Sequence, residues 1–193
     1  MLKLRQAIEN KVRLFDEAIK QAKSDRVALE LLRDKKRWLC RNDLYYLGLL
    51  TGHIRWTNGQ VKGFVIPFHR DICDKVSLMN WQIINKGLMP KHSDMLGINE
   101  VADSPEELGK TRRLFLYFRS AYKSTIVTKL HTIQLLLNFP DIHIFISHNT
   151  QINASDILVS IKKIFLTTGL RTLFPEYIVK EKDWGNQTGF SVA

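Results

Sequence analysis

Lys123-Ser124-Thr125 is the group of residues best suited to chemistry, because a lysine and two hydroxyls stand where an apolar run ends and an amphipathic pattern begins. The first amides of a helix lack partners and its dipole is positive there, so such a start attracts anions. Backbone N–H groups of Ser120, Ala121, Tyr122, Lys123, Ser124 and Thr125 form the expected cradle for phosphate. Lys123 would reach a terminal phosphate and the Ser124 hydroxyl would ligate Mg²⁺. The usual form of such a loop is Gly-x4-Gly-Lys-[Ser/Thr], and here the loop has no glycine. Any left-handed backbone in it would be strained at Ser120, Ala121 or Tyr122. The blander alternative is a strand–turn–helix unit with a solvated lysine.

The elements that would position these residues follow from the flanking patterns. Residues 114–118 are five consecutive apolar or aromatic side chains, which predicts a strand covered on both faces. Ile126, Leu130, Ile133 and Leu137 recur at helical spacing, so a helix is expected from Lys123 or Ser124 to about Phe139. Phe139-Pro140-Asp141 makes a turn, and Ile142–Ile146 reads as a second buried strand. Ser147–Thr150 leads from it into a helix over about 151–167. Strand, helix, strand, helix predicts a parallel sheet with right-handed crossovers.

Upstream, residues 2–22 form an amphipathic helix, with Ser24 and Asp25 offering a cap for a second. Asn42-Asp43 caps a third, over 44–50, and His69–Trp81 reads as a fourth. Thr57-Asn58-Gly59 is a turn before a short extended segment at 61–66. Residues 88–110, rich in proline, glycine and acids, read as an exposed loop or insertion. The expected division is a mainly helical region over 1–87, the 88–110 loop, and a partial α/β core over 111–193.

Composition narrows the classes. Twenty-nine Lys and Arg against nineteen Asp and Glu give +10, which favours a polyanionic partner such as nucleic acid. Lys35, Lys36, Arg37 and Arg41 around Trp38 are either a nucleic-acid contact or a helical face snorkelling over a buried tryptophan. Two distant cysteines, Cys40 and Cys73, argue against a disulfide scaffold and for an intracellular chain. His69-x3-Cys73 has no second pair nearby and reads as packing. No apolar run approaches the roughly 20 residues of a bilayer span, so no membrane is expected.

The order of these segments resembles the N-terminal ATPase half of tailed-phage terminase large subunits. In that family an apolar strand precedes Pro-Arg-Gly-x-x-Lys-Ser-Thr, and a later strand ends in Ser-x-Thr before an Ala-containing helix. Here the corresponding residues are Leu114–Phe118, Phe118–Thr125, Asn138-Phe139-Pro140, Ile144–Ser147 with Asn149-Thr150, and Ala154. Ile161–Phe165, Leu170–Pro175, Trp184 and the upstream His69-Arg70 are also similar, over roughly residues 40–193. Phe118 and Ser120 stand where proline and glycine are usual. The resemblance implies a P-loop NTPase-like parallel sheet with ATP and Mg²⁺ as cofactors. It also implies Arg119 and Lys123 as charge-stabilising catalytic residues, and Ser147, Asn149 and Thr150 as the coupling loop to nucleic acid.

It implies further a motor moving double-stranded DNA into a prohead from the host cytoplasm, in a homo-oligomeric ring with a portal and a small terminase subunit. The apolar strand ending in Asp or Asp-Glu that such an ATPase needs does not follow residue 147, so the chain reads as incomplete and, alone, as hydrolysing ATP negligibly. A helicase-like ATPase and a non-catalytic nucleic-acid-binding fragment remain the other expectations.

Overall fold

Helices build almost all of the core among the described residues. The computed structural model describes residues 2–52, 54–57, 60–63, 68–87, 92–102, 108, 122–139 and 141–178. In order these are α1 (Leu2–Lys20), α2 (Asp25–Asn42), α3 (Leu44–Leu50), the strands β1 (Ile54–Thr57) and β2 (Gln60–Gly63), α4 (Phe68–Asn85) and α5 (Ile98–Val101). A π-helix (Ser124–Leu130) then runs into α6 (His131–Asn138), followed by α7 (Gln151–Phe165), α8 (Thr168–Leu173) and a 3₁₀ turn (Pro175–Tyr177).

The early helices start where the sequence places them. Ser24 Oγ accepts from the Val27 amide at 3.4 Å and Asp43 Oδ1 accepts from the Tyr46 amide at 3.1 Å, each satisfying an open donor of the first turn. α3 ends on Gly52, whose φ of +81° suits the left-handed residue that closes a helix. β1 and β2 pair antiparallel, Ile54 opposite Gly63 and Thr57 opposite Gln60, so residues 61–63 of the expected extended segment belong to β2, and 64–66 lie outside the described residues.

Two apolar clusters hold the helices together. The first joins Cys40, Leu44 and Leu47 of α2 and α3, Ile72, Cys73 and Val76 of α4, Ile126 and Leu130 of the π-helix, and Ile161, Phe165 and Phe174 from the C-terminal half. The second joins Leu4 and Ile8 of α1, Trp38 and Leu39 of α2, Trp81 of α4, Phe139, and Met95, Leu96, Val101 and Ala102. Both clusters take side chains from before and after residue 110. The 92–102 stretch therefore corrects the exposed-loop reading of 88–110: Trp81 Nε1 donates to the Leu96 carbonyl at 2.9 Å, and Met95 and Leu96 are buried.

The parallel sheet is also corrected. Among the described residues the only strands are the antiparallel pair β1 and β2, and the elements around the first cluster are helices. Residues 142–148 carry no regular secondary structure, and Phe145 is 91% exposed. Half-buried Ile142, Ile144 and Ile146 alternate with exposed His143, Phe145 and Ser147, so only one side of the run is covered. Apolar β-formers in a row indicate local extension, but burial on both faces is a property of packing that α6 and α7 do not provide here. Residues 114–118, the other predicted sheet strand, lie outside the described residues.

Three of the four basic residues around Trp38, Lys35, Arg37 and Arg41, are engaged within the fold. Lys35 Nζ meets Asp16 at 2.6 Å, and Arg37 pairs with Glu176 and donates to the Leu173 carbonyl. Arg41, 1% exposed, donates to the Leu137 carbonyl at 3.2 Å and to Asp94 at 3.0 Å. The Arg37 and Arg41 guanidinium groups both lie over the Phe174 ring, 4.8 and 5.1 Å from its centre. This stack ties the residues after α8 to α2.

Candidate phosphate-binding turn

The turn that opens the π-helix has an unusual backbone. Tyr122 has φ of +54°, and among the described residues it is the one non-glycine in the left-handed region. Glycine would carry that conformation without cost, whereas a tyrosine there costs about 1 kcal/mol or more. Its carbonyl accepts the Ile126 amide at 2.9 Å, so the helix begins directly after it, with Lys123 already in right-handed geometry. Ser124 is exposed and Lys123 and Thr125 are half-buried. Arg119, Ser120 and Ala121 lie outside the described residues.

What holds Tyr122 comes from α4. The His69 ring meets the Tyr122 ring edge-on at 5.4 Å and 81°, and Phe68 meets His69 in the same manner at 5.0 Å. The first turn of α4 is fixed in turn by charge. Arg70 pairs with Asp43 at 2.9 Å and with Asp74 at 3.3 Å, and its guanidinium lies 5.3 Å from the Tyr45 ring centre. Arg5 of α1 pairs with the second Asp74 oxygen. Burial pushes both carboxyls above their ordinary range, opposed by Arg70 at Asp43 and by Arg5 and Arg70 at Asp74. The network thus joins α1, the α2–α3 junction and α4 behind the turn.

Ser124, Thr125, Ile126, Val127 and Thr128 are four β-branched residues and a serine, all poor α-helix formers. The helix they open is wound wide: the His131 amide donates to the Ile126 carbonyl, five residues back. π-turns are rare and are frequently found at functional sites. Behind it, His131 Nε2 lies 2.9 Å from Asn80 Oδ1, and Asn80 Nδ2 donates to Gln134 Oε1 at 2.9 Å. Since Asn80 offers its oxygen to the ring, the imidazole carries its proton on Nε2. Complete burial lowers the His131 pKa to about 4. Gln134 Nε2 is buried and makes no hydrogen bond.

The Ser147–Thr150 loop is a helix cap. Thr150 Oγ1 accepts from the Asn153 amide at 3.3 Å, and Asn149 Oδ1 accepts from Asn153 Nδ2 at 3.3 Å, while Ser147 is exposed. α7, which this loop opens, packs against the π-helix. The structure therefore brings together Tyr122, Lys123, Ser124 and Thr125, and links them to the 147–150 loop through α7. His69, Arg70 and the Asn80–His131–Gln134 seam complete the surroundings of the turn. Nothing local in the sequence marks that role, since it arises from α4 crossing the start of the π-helix.

A separate open cleft of about 420 Å³ lies over Phe15 and Trp38, lined also by Lys11, Asp94 and Glu100. Its carboxylates are engaged, Asp94 by Arg41 and Glu100 by the Gly97 amide. No group of three metal-ligating side chains occurs among the described residues, and no helix there is long and apolar enough to cross a membrane. Comparison with family models, with curated proteins and with solved structures finds no match.

Proposed function

We propose that this chain binds ATP through residues 119–125 as the nucleotide-binding portion of a DNA-packaging motor of the terminase large-subunit type. The observation that carries the reading is the left-handed Tyr122 immediately before Lys123 and Ser124 at a helix start, where a phosphate loop ordinarily places glycine. A strained backbone held by surrounding side chains is the usual accompaniment of a working site. Lys123 contacts the terminal phosphate, Ser124 ligates Mg²⁺ that ATP brings with it, and Arg119 stabilises charge on the phosphates. The parallel sheet forms no part of the proposal.

The proposal for this chain is nucleotide binding, since its sequence shows no Asp-ended apolar run after residue 147 to activate water. Its partners are double-stranded DNA, further copies in a ring, a portal and a small terminase subunit, in the host cytoplasm. Asn149 and Thr150 carry nucleotide state toward DNA through α7. A helicase-like ATPase would use the same turn. A non-catalytic nucleic-acid-binding fragment is favoured by one separate observation, the charge of +10 on a chain whose described residues are largely helical.

Lys123→Ala separates these readings. In the motor or helicase it weakens MgATP binding at least tenfold in titration calorimetry, and in a pure binding module DNA affinity is unchanged and no nucleotide binds to either protein. Strand separation would identify the helicase.

A further inference from the structure

We propose that Ser124–Leu130 is a two-register segment in which one surplus residue is held either as the π-turn or in the turn at Tyr122. The part of this proposal that concerns nucleotide rests on the phosphate-binding reading above. Three observations carry the register itself. The segment is wound with a five-residue hydrogen bond from the His131 amide to the Ile126 carbonyl, whereas it enters from Tyr122 with the ordinary four-residue bond. One residue is therefore in excess over a continuous α-helix between fixed ends.

The apolar positions do not demand that excess. Ile126, Leu130, Ile133 and Leu137, all fully buried, follow four, three and four, which is α-helical spacing. Winding the segment as α-helix would move the His131 amide from the Ile126 carbonyl to that of Val127 and return the spare residue to the turn. That return changes the backbone at Tyr122, the strained residue at the other end of the same stretch.

Each end has its own restraint. His69 holds the Tyr122 ring edge-on from α4, which keeps the left-handed turn and with it the π register. At the far end His131 is tied to Asn80, whose amide is tied to Gln134, so α6 stays in place while the turns before it change. The β-branched run between them makes the α register only weakly preferred. The two windings are thus close in energy. An anion on the Tyr122–Lys123–Ser124 amides selects the π register, because that register keeps the left-handed turn. Nucleotide occupancy is then converted into a change of winding that α7, packed on this segment, receives.

The test is backbone amide exchange on the full chain, comparing residues 124–130 with 131–138. In the wild type, 124–130 should exchange at least tenfold faster than α6, and saturating MgATP should slow them. Deleting Thr128 removes the surplus residue, so 124–130 should then exchange like α6, with no response to MgATP. Where the deletion does not fold, the length-preserving Val127→Ala/Thr128→Ala variant raises α propensity and should slow 124–130 by at least threefold. Equal exchange of 124–130 and 131–138 in the wild type overturns the proposal, as does faster exchange of 124–130 in the altered proteins. If the wild type binds no MgATP, the phosphate reading fails alone, and the exchange comparison between proteins still decides the register.

Discussion

At the scale of single residues, the buried polar groups set the sharpest expectations. His131 is neutral in the fold, with a pKa lowered to about 4 against an ordinary 6.5, so the unfolded chain takes up a proton first as pH falls. Its contribution is complete above 6.5 and is lost between 6.5 and 4, amounting to about 3 kcal/mol. Asp43 and Asp74 act in the opposite sense, since burial raises their pKa and protonation favours the fold. Comparing the wild type with His131→Leu isolates the histidine: between pH 7 and 4.5 the wild type should lose about 2 kcal/mol more in denaturant titrations. A second expectation concerns Arg41, which is buried and donates to Asp94, the Leu137 carbonyl and the Tyr177 hydroxyl. Arg41→Ala should cost about 3 kcal/mol in a thermal melt, from the lost stack on Phe174 and an abandoned Asp94. Such roles were not legible in the sequence. Arg41 stands in a run that reads equally as a nucleic-acid contact, and only the return of residues 94, 137 and 174 to α2 decides it.

At the scale of elements, caps and periodicity were readable and sheet formation was not. Ser24 and Asp43 announce helix starts because a short acceptor side chain meets an unpaired amide two or three residues on, a wholly local interaction. Ile126, Leu130, Ile133 and Leu137 announce a helix for the same kind of reason, although its π winding depends on constraints at both ends. Ile142–Ile146 misled, because three isoleucines and a phenylalanine fix local extension and leave open whether anything covers the second face. The 92–102 stretch misled in the other direction, its acids and the flanking Pro90 and Pro105 hiding Met95 and Leu96, which fill the second cluster. One contact between elements is close enough to test: a Cβ on Gly169 would approach the Leu50 carbonyl oxygen to 3.1 Å. Gly169→Ala should therefore lower stability by about 1–2 kcal/mol, read from the denaturation midpoint, although alanine is the better helix former.

At the scale of the whole molecule, α4 is what makes the candidate site more than a motif. It contributes Ile72, Cys73 and Val76 to one cluster and Trp81 to the other, and its first turn supplies His69 to Tyr122 and Arg70 to the buried charge network. The sequence order of Lys123-Ser124-Thr125 and the later 147–150 loop was legible, and so was the surplus of positive charge. The crossing that places α4 behind the turn was not, being a consequence of packing between residues more than fifty apart. The account's central claim is that this turn holds the phosphates of a nucleotide. Titration calorimetry of MgATP into the full chain tests it most directly, with Lys123→Ala and Tyr122→Gly alongside. The wild type should bind saturably, Lys123→Ala at least tenfold more weakly, and Tyr122→Gly undiminished, since glycine adopts the left-handed turn without strain. Absence of heat from the wild type, or equal affinity with Lys123→Ala, would contradict it.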